Sequence, residues 1–138
     1  MSASIIIVTY KRSKTLSELL LSVMRQSVLP TEVIVVDNSC GRDLATIAVC
    51  SDLGTQFQKM GVQFKAVLST DNSLPLGRNI GVKHSSGEIV FFVDDDAILG
   101  HAYLEEILRC YSQHPQALAV EGHIVNAPMD GSVHRFIK

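Results

Sequence analysis

Glu88-Ile89-Val90-Phe91-Phe92-Val93-Asp94-Asp95-Asp96 is a short apolar run that ends in three consecutive carboxylates. A run apolar on both faces and rich in β-branched and aromatic side chains reads as a strand buried in a sheet. Carboxylates this close repel one another, and each is costly to desolvate without a partner. The carboxyl end of a strand is also where open α/β sheets place their ligands. The run therefore points to a divalent cation with oxygen ligands, holding a substrate's phosphates. The plainer alternative is that one Asp caps the next helix and the other two are solvated.

Working outward, Ser4-Ile5-Ile6-Ile7-Val8-Thr9 and Glu32-Val33-Ile34-Val35-Val36-Asp37 are two more runs of buried-strand type. Leu16, Leu19, Leu20, Val23 and Met24 lie between them at helical spacing, in a helix that stops before Pro30. Asn38-Ser39-Cys40-Gly41 reads as a turn. Residues 43–60 suggest a second helix ended by Gly61, with Gly54 as a weak point inside it. A third strand is expected over 62–68, a loop over 69–76 because it is polar and contains Pro75, and a short helix or turn over 77–86. After the aspartates, Leu104, Ile107, Leu108 and Tyr111 form one helix face, Pro115 ends it, and 117–125 is expected as a fifth strand. This alternation predicts an α/β fold, a mostly parallel (mixed) sheet flanked by helices in one domain. Right-handed crossovers then bring Thr9, Tyr10, Asp37 and Asp94 to Asp96 to one edge of the sheet.

The other candidate residues follow from that placement. The first strand ends in Thr9-Tyr10-Lys11-Arg12-Ser13, without the glycines that a dinucleotide turn or a P-loop requires. Tyr10 could offer its ring to a base and Thr9 polar contacts, or Tyr10 could simply pack at a strand end. Asp37 could accept from a ribose hydroxyl or a base N–H, and it is equally good Asx-turn chemistry. In Leu76-Gly77-Arg78-Asn79-Ile80-Gly81, two glycines bracket Arg78, whose guanidinium suits either a diphosphate or an Asp of the triplet. His84, His101, His114, His123 and His134 share no metal spacing and read as surface or packing residues; only His101, just past the triplet, stands close enough in sequence to bear on it.

Bulk properties exclude several classes. A formal net charge of −2 gives no basic surface for nucleic acid. Three cysteines without CxxC spacing argue for neither a disulfide framework nor a zinc site, and Cys50 and Cys110 read as small core residues. No apolar stretch approaches membrane-spanning length and no signal-like leader is visible. The expectation is a cytoplasmic protein, with the inner face of the membrane as the alternative location.

With these pieces assembled, the chain resembles a family 2 glycosyltransferase of the GT-A fold. The resemblance runs from Ser4 to about Glu121 and rests on Ile5-Ile6-Ile7-Val8-Thr9-Tyr10, Val33-Ile34-Val35-Val36-Asp37-Asn38-Ser39, Gly77-Arg78-Asn79-Ile80-Gly81 and Phe92-Val93-Asp94-Asp95-Asp96, in the family's order. It implies a nucleotide-sugar site in which Thr9, Tyr10 and Asp37 contact the nucleoside, usually uridine, and Arg78 reaches the diphosphate. Asp94 and Asp96 match the ends of the Asp-x-Asp motif. Asp96 would be the main ligand of Mn²⁺ or Mg²⁺, Asp94 would face the ribose or sugar, and Asp95 would also belong to the nucleotide-sugar contact set.

The same resemblance implies an inverting transfer from a UDP-sugar to a glycan or glycoconjugate acceptor, in cell-surface polysaccharide or glycoconjugate synthesis. It also implies a further, acceptor-binding half that supplies the catalytic Asp. The only late Asp, Asp130, sits in Pro128-Met129-Asp130-Gly131, which does not match that motif, so the base is unassigned. Either the chain is a piece of a larger enzyme, which is the preferred reading, or it is a non-catalytic nucleotide-sugar binder. In both cases the chain is expected to bind nucleotide diphosphate with metal and to show little or no turnover. A metal-dependent phosphotransferase or phosphatase ranks lower, because it usually wants a nucleophilic Asp where Thr9-Tyr10-Lys11 stands. Apolar surface left on a short sheet could pair with a second copy of the chain.

Overall fold

The computed structural model describes residues 1–125. Four strands, β1 (Ala3–Thr9), β2 (Glu32–Asp37), β3 (Gln63–Leu68) and β4 (Ile89–Phe92), form one sheet in the order β3-β2-β1-β4. Every pairing is parallel, so among the described residues the sheet is wholly parallel rather than mixed. The helices are α1 (Ser13–Met24), α2 (Leu44–Lys59), α3 (Leu74–His84) and α4 (Tyr103–Gln113).

The lack of polar alternation in β1 and β2 has a direct cause. Ile5, Ile7, Val33 and Val35 face a large core shared with Leu16, Leu19 and Leu20 of α1, Phe57 of α2 and Leu104 of α4. Ile6, Ile34 and Val36 face the opposite side, where Ile80 of α3 covers them with Val8, Val67 and Val90. Ile5, Ile6 and Ile7 are all essentially inaccessible, and burial of each favours the fold by about 1.5–3 kcal/mol relative to leaving it exposed.

Two glycines set how close α3 lies. A Cβ at Gly77 would stand 2.7 Å from Val8 Cγ1, and one at Gly81 would overlap Ile6 Cγ2. Because these residues are four apart they share one helix face, and their lack of side chains seats the backbone of α3 directly on β1. Gly54 does the same for α2. It lies within an unbroken helix, where a Cβ would come 2.6 Å from the Phe64 ring. That ring stacks on Phe57 at 5.6 Å.

Two expectations are corrected. The segment 69–76 is not all loop, because α3 begins at Leu74. Ser73 is its N-cap, accepting from the Leu76 N–H at 3.3 Å, and Pro75 occupies the first turn, where its missing N–H costs no helical bond. The expected fifth strand over 117–125 does not form. Val120 packs on the large core and Gly122 lies flush against the Tyr103 ring, while Leu118, Ile124 and Val125 are exposed.

At the amino end of the sheet Glu32 is fully buried. Its Oε1 accepts from Ser4 Oγ at 2.6 Å and from the Ser86 N–H at 2.5 Å, and its Oε2 pairs with Lys65 Nζ at 2.9 Å. Burial pushes this carboxyl up, but Ser4, Ser86 and Lys65 outweigh it and hold the pKa at about 2. One side chain thus ties β1, β2, β3 and the turn before β4 together.

Candidate functional site at the carboxyl edge

The sheet order makes β1 and β4 neighbours although they are far apart in sequence. Chain connections diverge there, and such a switch point is where open α/β sheets form ligand crevices. Ile6 pairs with Phe92, and the Val93 N–H donates to Ile6 O at 3.1 Å. Continuing that register past the end of β4 sets Asp95 opposite Thr9, and Thr9 Oγ1 donates to Asp95 Oδ2 at 2.9 Å.

The triplet leaves the strand and enters a turn, in which the Ala97 N–H donates to Asp94 O at 3.1 Å, and its three side chains differ in exposure. The Asp94 and Asp96 side chains are 68% and 59% exposed, while that of Asp95 is 11% exposed. Each is met by an arginine. Arg78, in the second turn of α3, places Nη2 3.4 Å from Asp94 Oδ1, with its guanidinium 5.7 Å from the centre of the Phe92 ring. Arg12, at the start of α1, places Nη1 3.3 Å from Asp95 Oδ1 and 3.6 Å from Asp96 Oδ2. The two guanidiniums thus meet all three carboxylates of the triplet.

The remaining candidates sit on the same edge. Thr9 pairs with Asp37 across β1 and β2, and the Asn38 N–H donates to Thr9 O at 2.9 Å. Asp37 is buried and organises its turn: Oδ1 accepts from the Ser39 N–H at 2.8 Å and Ser39 Oγ at 2.7 Å, and Oδ2 from the Gly41 N–H at 3.1 Å. The turn passes through positive φ at Cys40 and Gly41. Tyr10 is 41% exposed, with Lys11 Nζ 5.3 Å from its ring centre. Asn38 Nδ2 donates to Ser73 O at 3.3 Å, which ties the turn to the start of α3.

The structure therefore brings Thr9, Asp37, Arg78 and the three aspartates to one edge. It spends the Thr9 hydroxyl and the Asp95 carboxylate on each other, and leaves Tyr10, Arg78, Asp94 and Asp96 open to solvent. Arg12 and Asn38 are residues that sequence reasoning missed. A signal for Arg12 was available: a basic residue just past one strand, on the same edge as an acidic triplet past another. His101 is engaged elsewhere, its Nδ1 2.6 Å from Arg25 O at the far end of α1 from Arg12. Cys50 is buried, and burial together with the Asp37 charge pushes its thiol up to about 11. His134 and Asp130 lie outside the described residues.

Among the described residues no three His, Cys, Asp or Glu side chains converge as a metal cage. The donors on offer are carboxylate oxygens only, on Asp94 and Asp96. That set fits a hard cation held by one or two carboxylates and completed by substrate phosphates, the usual arrangement for Mg²⁺. No helix among the described residues is long and apolar enough to cross a membrane.

The family model for glycosyl transferase family 2 matches residues 4–136. The chain belongs to that family. Within it, the chain is 31% identical over 111 residues to YwdF, an uncharacterized glycosyltransferase of Bacillus subtilis (strain 168), covering 79% of this chain and 38% of that protein. It is 29% identical over 106 residues to TarP of Staphylococcus aureus (strain N315), a poly(ribitol-phosphate) beta-N-acetylglucosaminyltransferase, covering 75% of this chain and 31% of that one. Among solved structures, S. aureus TarS 1–349 in complex with UDP superposes with a TM-score of 0.68 at 30% identity, over 83% of this chain and 33% of that one. The mannosyltransferase PcManGT of Pyrobaculum calidifontis, in complex with GDP-Man and Mn²⁺, superposes with a TM-score of 0.70 at 22% identity, over 80% and 32%. At that identity the likeness concerns the fold, which is GT-A. The family-2 chain described here thus spans between 31% and 38% of the length of the two curated relatives.

Proposed function

We propose that this chain is the donor-binding part of a glycosyltransferase that moves a sugar from a UDP-linked donor, with Mn²⁺ or Mg²⁺, to a glycan or glycoconjugate acceptor with inversion. The observation that carries the reading is the carboxyl edge of β1 and β4, where Asp94 and Asp96 stand exposed with Arg78 and Arg12 beside them. The UDP bound in the related TarS structure supports the choice of nucleotide.

In this reading Asp37 and Tyr10 hold the nucleoside. Asp37 Oδ2 accepts a single hydrogen bond and keeps a lone pair for a ribose hydroxyl or base N–H. Arg78 turns from Asp94 to the diphosphate, a movement its exposure permits, and the planar guanidinium matches phosphate oxygens bidentately. Asp96 is the main metal ligand, and Asp94 faces the ribose or sugar. A bound divalent cation would act as a Lewis acid for the charge on the departing diphosphate.

Calorimetric titration of UDP into the purified chain, with Mn²⁺ and again with excess chelator, tests this. The expected result is metal-dependent binding that Asp96→Ala abolishes without lowering the thermal midpoint. Equal UDP affinity with and without metal, or an unaffected Asp96→Ala, would remove the metal–diphosphate assignment.

A further inference from the structure

Asp95 is the member of the triplet that offers least to a ligand. Its carboxylate is nearly covered, Thr9 Oγ1 engages one oxygen at 2.9 Å, and Arg12 Nη1 engages the other at 3.3 Å. The approach of Arg12 is built into the backbone. Lys11, between Tyr10 and Arg12, has φ +53, in the left-handed region. For a non-glycine residue this conformation costs of order 1–3 kcal/mol, and it persists only where the surroundings enforce it. The bend lies between the end of β1 and the Arg12 side chain that reaches Asp95. From there the same Nη1 also lies 3.6 Å from Asp96 Oδ2.

We propose that Asp95, gripped by Thr9 and Arg12, is a positioning residue for the metal–diphosphate site and contacts neither metal nor nucleotide. Anchoring the middle residue pins the turn that follows β4, closed by the Ala97 N–H on Asp94 O at 3.1 Å, and so holds the exposed carboxylates on either side in place at the edge. Arg12 adds orientation, because its guanidinium spans Asp95 and Asp96 and holds the Asp96 carboxylate in place before the cation arrives. Outer partners of this kind tune metal affinity about 10–100-fold when removed. The inference rests on the donor-site reading given under Proposed function.

The test is Mn²⁺ titration followed by electron paramagnetic resonance of the free ion, with excess UDP, on the full 138-residue chain. The variants are Asp96→Asn, Asp95→Asn, Arg12→Ala, Arg12→Lys, Thr9→Val and the double variant Asp95→Asn/Arg12→Ala, with a thermal midpoint for each. Asp96→Asn should remove Mn²⁺ binding. Asp95→Asn, Arg12→Ala and Thr9→Val should each weaken it about 10–100-fold, with Arg12→Lys recovering part of the loss. The double variant should be no worse than the poorer single one, since both act through one anchor. A purely structural role would instead lower the midpoints and leave Mn²⁺ affinity of the folded protein unchanged. The anchor is overturned if Asp95→Asn and Arg12→Ala bind Mn²⁺ like the parent while Asp96→Asn does not, or if the two losses add. It is equally overturned if Asp95→Asn abolishes binding while Thr9→Val and Arg12→Ala are silent, which would make Asp95 a ligand. If Asp96→Asn also binds like the parent, the donor-site reading fails and the anchor falls with it. Should Asp95→Asn fail to fold, Thr9→Val, which keeps side-chain volume and removes one donor, decides the same question.

Discussion

Glu32 gives the fold a measurable acid sensitivity. Its carboxyl has a pKa of about 2 in the folded chain against 4.5 for an unperturbed glutamate, and the side chain is fully buried. A depressed folded-state value means that the unfolded chain takes up the proton first, so the stabilisation is complete above about pH 5 and is lost as pH falls toward 2. The difference of about 2.5 units corresponds to about 3 kcal/mol at neutral pH, of which about 2 kcal/mol is already gone at pH 3. Glu32→Gln keeps the shape, removes the charge facing Lys65 and turns an amide N–H₂ toward groups that themselves donate. It should cost about 3 kcal/mol at pH 7, in line with breaking a buried pair from one side. Urea unfolding of both proteins at several pH values between 7 and 3 measures this. The gap between the two curves should narrow from about 3 to about 1 kcal/mol across that range. Parallel profiles would refute the reasoning, because they would mean that Glu32 titrates alike in folded and unfolded chains. Glu32 lies at the amino end of β2, six residues from Asp37 counting both ends, or roughly 17 Å of strand. UDP affinity of the folded variant should therefore be unchanged.

Three further outcomes are expected. Gly81→Ala drives a methyl group into Ile6 Cγ2 and should cost about 1–3 kcal/mol despite the better helix propensity of alanine; thermal unfolding checks the cost, and weaker UDP binding would report the accompanying shift of Arg78. Arg78→Lys keeps the charge and loses the fork, so UDP affinity should fall about 10-fold by calorimetry, equivalent to about 1.4 kcal/mol, with little change in the thermal midpoint. Cys50 is buried, with its thiol pushed up to about 11, so timed alkylation read by mass spectrometry should label it well after the half-buried Cys40 and Cys110.

Much of the architecture was legible because the buried strands advertise themselves. A parallel strand covered on both faces cannot alternate, and Ile5-Ile6-Ile7 with Val33-Ile34-Val35-Val36 could hardly be anything else. The misread elements are those in which local chemistry competes with a tertiary contact. Pro75 suggested loop until Ser73 was seen capping a helix around it. The apolar stretch before Val125 suggested strand, although only Val120 packs on the core and Leu118, Ile124 and Val125 are exposed. Glu32 passed as an ordinary strand residue because its partners, Ser4, Lys65 and Ser86, come from three distant segments.

The candidate site divides in the same way. Residue types and positions pointed to Asp37, Arg78 and the triplet, since carboxylates at strand ends and an arginine between glycines are local facts. The division of labour within the triplet is not local. Three identical residues in a row do not say which of them is covered and which two stay exposed in the turn they form. That choice is made by the register of β4 against β1, with Ile6 opposite Phe92, which brings Thr9 to Asp95. The same register explains why Arg12 escaped notice. Its role depends on a left-handed turn at Lys11 and on a carboxylate 83 residues away, and neither leaves a mark in the residues around it. The chemistry of this edge is written in its residue types, whereas its orientation is a property of strand pairing, so a substitution that shifts the pairing should disable the site even with every aspartate in place.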